Sequence, residues 1–153
     1  MTIRLASAAD LPAMVALGQA THALSRYAAQ PYSAARVQQG LQAVIDSGQG
    51  KYVLFAAVDS GRQVVGLLLG VIEQALFTEA LSASVVYYIV DPEARMGGHA
   101  PRLLRAFERW ALNRGAVEVN FGVNSGIDAE RVARYARRMG YGWVGGNFVK
   151  EVK

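Results

Sequence analysis

Between residues 82 and 111 the chain reads SASVVYYIVDPEARMGGHAPRLLRAFERWA, and this stretch restricts the fold more than any other. An apolar, strand-like run breaks at Asp91-Pro92, two adjacent glycines follow, and Leu103, Leu104, Phe107, Trp110 and Ala111 then recur on one face of a helix. Arg114-Gly115 stops that helix and AVEVNFGV opens a new strand. Strand, glycine turn, helix and strand in this order form a right-handed parallel crossover in nearly every protein that has one.

The remaining elements surround that crossover with antiparallel pairs. Residues 2–5 read as a first strand, and residues 7–10 as a cap before the helical spacing Leu11, Met14, Val15, Gly18. A loop HALSRYAAQPYS follows, then a second helix on Val37, Leu41, Val44 and Ile45, closed by Gly48 and Gly50. YVLFAAV and QVVGLLLGVIE are strands joined by the turn DSGR. Past AVEVNFGV, a shorter helix on Val132, Tyr135, Ala136 and Met139 stops at Gly140, and YGWV and NFVKEV read as two last strands. The expectation is one domain over residues 1–153: a mixed, largely antiparallel α/β sheet of six to seven strands with helices on both faces. Trp110 and Trp143 are expected in its core.

Composition then narrows the chemistry. With no cysteine there is no thiolate nucleophile and no Cys-based metal site, and His22 and His99 lack a helical metal-ligand spacing, so no metal is expected. The N-terminal MTIRLASAADLPAM has no continuous apolar core, so a cytoplasmic protein without a membrane span is expected. Net charge is +4, and residues 95–140 hold nine arginines against four acids. Most of these arginines read as a solvated helix surface. Nucleic-acid binding through those between Arg131 and Arg138 ranks last, because the same helix carries an apolar face and no recognition motif accompanies it.

The two glycines raise the functional question. The first turn of a helix has free N–H groups and a partial positive charge, and glycine lets an anion approach them. Arg95 adds a charged donor beside the turn. There is no GxxxxGK[ST] and no GxGxxG, which removes the P-loop and the dinucleotide fingerprint. What remains is R-x-x-G-x-A, from Arg95 to Ala100 through Met96, Gly97, Gly98 and His99.

With the element order, this turn resembles the acyl-coenzyme A site of the Gcn5-related N-acetyltransferases (GNAT). VDPEARMGGHAPRLL is similar to that family's fourth strand, phosphate turn and third helix, and YARRMGYGWVGG to its last helix and sixth strand. The resemblance implies an acetyl-coenzyme A-dependent N-acetyltransferase acting by direct attack of a primary amine in a ternary complex. It implies cofactor contacts from Arg95, Met96, Gly97, Gly98, His99, Ala100 and Asn124, and an oxyanion donor from the backbone of Ile89 or Val90. His99, in the variable slot of the turn, is expected to face solvent or adenine.

The acceptor is expected to be a small-molecule or protein amine beside His22, Ser25, Tyr27 and Tyr32, with one of Tyr87 and Tyr88 facing it. A homodimer is compatible with this reading. Glu73, ahead of Glu79, is the candidate base, and Tyr88 and Tyr135 are the other catalytic candidates. The family's usual acid, a tyrosine four residues before the glycine that stops the last helix, falls on Ala136. Tyr135 is one residue earlier, about 100° round the helix, which favours the core for it, and Pro101 removes one N–H from the turn. A catalytically weak or inactive coenzyme A-binding module of the same fold is the alternative function.

Overall fold

The computed structural model describes every residue except Gln49 and Lys153. Five strands, β1 (Thr2–Leu5), β2 (Tyr52–Val58), β3 (Val64–Gln74), β4 (Leu81–Val90) and β5 (Ala116–Asn120), form one sheet in sequence order. The first four pair antiparallel, and β4 pairs parallel with β5. Helices α1 (Leu11–Leu24) and α2 (Ala34–Ser47) precede β2, α3 (His99–Asn113) makes the crossover to β5, and α4 (Ala129–Arg138) follows. The expected six- to seven-stranded sheet is therefore corrected to five. Neither YGWV nor NFVKEV pairs with it, and Trp143, expected in the core, is 77% exposed.

β2 and β3 are buried on both sides, and their apolar runs sort by alternation into two cores. On one face Val53, Phe55, Ala57, Val65 and Leu68 meet Leu103, Leu104, Phe107 and Ala111 of α3. On the other, Leu54, Ala56, Leu67 and Leu69 meet Leu11, Met14 and Leu41 of α1 and α2. Gly70 is set by the first core: a Cβ there would lie 2.1 Å from the Phe107 ring. At the sheet's outer start, Asp10 is buried and accepts from both terminal nitrogens of Arg4, at 2.7 and 2.8 Å, and from the Ser7 amide. The Arg4 guanidinium holds its carboxyl down at about 2 against the burial that opposes it. This ties β1 to the entry of α1.

Two features break the regularity of β4. Its register against β3 shifts between Leu69 and Gly70, so Val86 is an extra residue. Val85 and Tyr88 consequently share the α3 face although three positions apart, while Tyr87 and Ile89 face α1 and α2, opposite Leu69 and Leu67. The ladder with β5 covers only the first part of β4, ending at Ser84 opposite Asn120. Beyond Ser84 the outer edge of β4 has no strand partner among the described residues.

Candidate active site

The unpaired half of β4 opens a split between the two parallel strands, with α3 on one face and the loop joining α1 to α2 on the other. Asp91 N–H donates to Val65 C=O at 2.8 Å, so by the alternation of an antiparallel ladder the amides of Ile89 and Tyr87 also face β3. Those of Tyr88 and Val90 point into the split. Of the two residues expected to supply a backbone donor, Val90 has its amide on the split side of β4 and Ile89 has its amide on the β3 side.

At the α3 face, Asp91 caps a short 3₁₀ segment, Pro92–Gly97, through the Glu93 amide. Gly98 then takes a left-handed conformation, φ 72° and ψ 17°, before α3 begins. The two glycines have different reasons. Gly98 is required by its positive φ, with open space where a side chain would stand. At Gly97 a Cβ would lie 2.7 Å from Nε2 of His99. His99 is thus not turned to solvent or adenine as expected: it is buried beneath the turn, and its Nδ1 has no hydrogen-bond partner. Arg95, Met96 and Gly97 are exposed at the rim.

Behind the turn lies a chain of hydroxyls. Tyr88, on the α3 face, donates to the carbonyl of Ala100 in the first turn of α3, and its oxygen is 2.8 Å from that of Tyr135 on α4. Each hydroxyl has one proton, and that of Tyr88 is committed to Ala100, so Tyr135 is the donor to Tyr88. Burial pushes both phenols up, Tyr88 far above the ordinary range. Phe121 packs against Tyr88, Tyr135 and Tyr141, and Tyr141 donates to Glu108 at 2.8 Å. Tyr135 therefore has a core ring, as its offset from the usual position suggests, and a hydroxyl that ties three elements together.

The opposite face gathers other candidates. Tyr87 is 59% exposed there. Glu73, exposed on the same face of β3 four residues beyond Tyr87's partner Leu69, accepts a hydrogen bond from Ser84, whereas Glu79 lies out on the β3–β4 loop. His22 belongs to the last turn of α1 rather than to the loop, 5.3 Å from the Tyr32 ring. Tyr32 donates to Val15 C=O at 2.8 Å over Gly18, where a Cβ would come within 2.7 Å of its oxygen. This anchors the loop on α1.

Sequence reasoning missed Arg26. Its amide donates to Ser125 C=O at 2.8 Å, Nε to Asn124 C=O at 2.6 Å, and Nη2 to both Asn124 Oδ1 and the Tyr27 hydroxyl. Asn124 returns a bond to Tyr27 at 3.0 Å, and Ser25 caps its own turn. Tyr27 and Asn124, 97 residues apart, are thereby joined across the split. Nothing local in HALSRYAAQPYS signals this, because the partner segment is brought there only by the parallel crossover.

Comparison with known proteins agrees with this geometry. Over almost its whole length the chain superposes on an acetyltransferase of Trypanosoma brucei (TM-score 0.73, 14% identity, 99% of each chain). It likewise superposes on a transcriptional regulator from Bacillus halodurans (0.78, 16%, 99% of each). A third match is an aminoglycoside antibiotic 6'-N-acetyltransferase from Acinetobacter haemolyticus (0.73, 21%, 100% of each). At such identities the likeness is one of fold. No curated protein matches the sequence. Residues 19–141, however, match the model of the Acetyltransferase (GNAT) family. A parallel pair that separates beside a glycine turn, on this element order and with this match, makes the chain a member of the Gcn5-related N-acetyltransferase family.

Proposed function

We propose that the protein is an acetyl-coenzyme A-dependent N-acetyltransferase whose two substrates meet through the split between β4 and β5. The single observation that supports this most is the split itself, with outward-facing amides of Tyr88 and Val90 and the α3 turn at its end. The turn suits an anionic cofactor: bare backbone at Gly97 and Gly98, the cation of Arg95 at the rim, and a buried His99 Nδ1 without a partner. Arg95, Gly97, Gly98 and Ala100 would hold the pyrophosphate, with Met96 and His99 completing the turn and Asn124 near the acyl arm.

Bound acetyl-coenzyme A supplies an activated thioester: the acceptor's nitrogen forms the new C–N bond as C–S breaks, and the departing sulfur takes a proton. The chain's own residues prepare that exchange. Val90 N–H donates to the carbonyl oxygen as it gains charge. On the α1–α2 face Glu73, held by Ser84, takes the ammonium proton directly or through water. Tyr87, Tyr27, His22 and Tyr32 border the acceptor. Tyr88 and Tyr135 position the first turn of α3, and water or another group protonates the sulfur. The aminoglycoside 6'-N-acetyltransferase among the structural relatives makes small amines a natural first panel.

The commitment of both phenolic protons also favours a second reading, a coenzyme A-binding module with little turnover. Incubation with acetyl-coenzyme A and an amine panel, reading free thiol, separates the two. Release that depends on acceptor concentration supports the enzyme; tight cofactor binding without release supports the module.

A further inference from the structure

Arg26 is held rather than loose. Nε and Nη2 make three hydrogen bonds, and the guanidinium carbon lies 4.2 Å from the centre of the Tyr27 ring. Every partner is a carbonyl, an amide oxygen or a hydroxyl, so none neutralises the charge. Nη1 makes no hydrogen bond among the described residues, and the residue is exposed.

Arg26 makes no salt bridge among the described residues. Residues 11–45, which span α1, the loop and nearly all of α2, contain no aspartate or glutamate, and neither do residues 119–127 on the far side of the clasp. The strand pattern puts two carboxylates on this face, Glu73, bonded to Ser84, and Glu118, opposite Ser82 and accepting from Asn120. A fixed cation with free donors therefore stands at the Asn124 tie, with two carboxylates on the same face of the sheet towards the start of β4. A polycationic amine would meet there a guanidinium that has no salt bridge among the described residues. An amine that also carries a carboxylate finds the free N–H groups of Nη1 for its anionic end and a carboxylate for its ammonium end.

We infer that the acceptor is an amine bearing a carboxylate, of the amino-acid or short-peptide class, and that Arg26 binds the carboxylate through Nη1. This rests on the acyltransferase reading above and gives Arg26 a specificity role beyond its tie to Asn124 and Tyr27. Because the side chain is already immobilised by that tie, little rotamer freedom is lost on binding.

The test compares common L-amino acids and dipeptides with their C-terminal amides, and with spermidine, using acetyl-coenzyme A and rates corrected for the free-amine fraction. A charged hydrogen bond to a carboxylate corresponds to about a ten- to hundredfold preference for the acid over its amide in kcat/KM. Arg26→Gln should bring that ratio close to one, while Arg26→Lys should keep part of it. In parallel, calorimetric titration of the preferred amino acid into the coenzyme A-saturated protein should show binding that Arg26→Gln weakens by a similar factor. Amides or spermidine turning over as well as the acids, or a ratio that Arg26→Gln leaves unchanged, would overturn the assignment while leaving the enzyme an acetyltransferase. If coenzyme A binds but no member of the panel releases thiol or binds, the assignment also falls. Failure of coenzyme A itself to bind would instead sink the reading on which it rests.

Discussion

At the scale of single residues, the hydroxyl chain from Tyr135 through Tyr88 to Ala100 separates a positioning role from an acid. Tyr135→Phe keeps the ring against Phe121 and removes one neutral hydrogen bond, so stability should fall by about 1 kcal/mol and turnover by less than about tenfold. Loss of a general acid would cost about 100- to 10,000-fold. A larger fall in kcat than about a hundredfold, with cofactor binding intact, would make Tyr135 the acid. Tyr88→Phe should be worse for binding, because it frees the Ala100 carbonyl and leaves Tyr135 without its acceptor. Chemical denaturation should show a loss of about 1–3 kcal/mol, and the coenzyme A Kd should rise. At the rim, Arg95→Ala is expected to weaken coenzyme A about ten- to a hundredfold. Arg137→Ala, on the exposed side of α4, should change it little.

Among elements, the sequence made β2, β3, β4 and α3 plain, because their apolar spacings run long and agree with where the core lies. The split was not legible. AVEVNFGV reads as one strand to Val123, yet β5 stops at Asn120, and the bulge at Val86 lies in an unbroken apolar run. Both depend on which neighbour a strand finds, which periodicity does not encode. The last two strands failed for a related reason: YGWV and NFVKEV have strand composition, but Tyr141 anchors to Glu108 and the chain beyond it does not pack on the sheet. In the candidate site, the glycine turn was readable because backbone requirements show in residue type, whereas Arg26 and the burial of His99 arise from contacts between distant segments. The tie of β1 to α1 makes a checkable pH effect. Since Asp10 is held at about 2, below its usual 3.8, its contribution is full above about pH 4 and is lost as pH falls towards 2. Asp10→Asn should therefore destabilise at neutral pH by of order 1 kcal/mol, allowing for solvent screening at half-exposed Arg4, and the difference should vanish in acid.

For the whole molecule, the two cores divide labour: one seats α3 and its turn, the other seats α1 and α2, and the sheet between them opens where β4 and β5 part. Among the described residues no helix is long and apolar enough to cross a membrane. The central claim is that coenzyme A lies along the α3 turn and enters the split, and amide NMR of the labelled protein titrated with coenzyme A tests it directly. The account predicts the largest shifts at Arg95, Met96, Gly97, Gly98, His99 and Ala100, with further shifts at Tyr88 and Val90 and almost none in β1 or on the outer face of α2. Saturating coenzyme A that leaves the Gly97 and Gly98 amides unmoved, or shifts centred on α2, would contradict it.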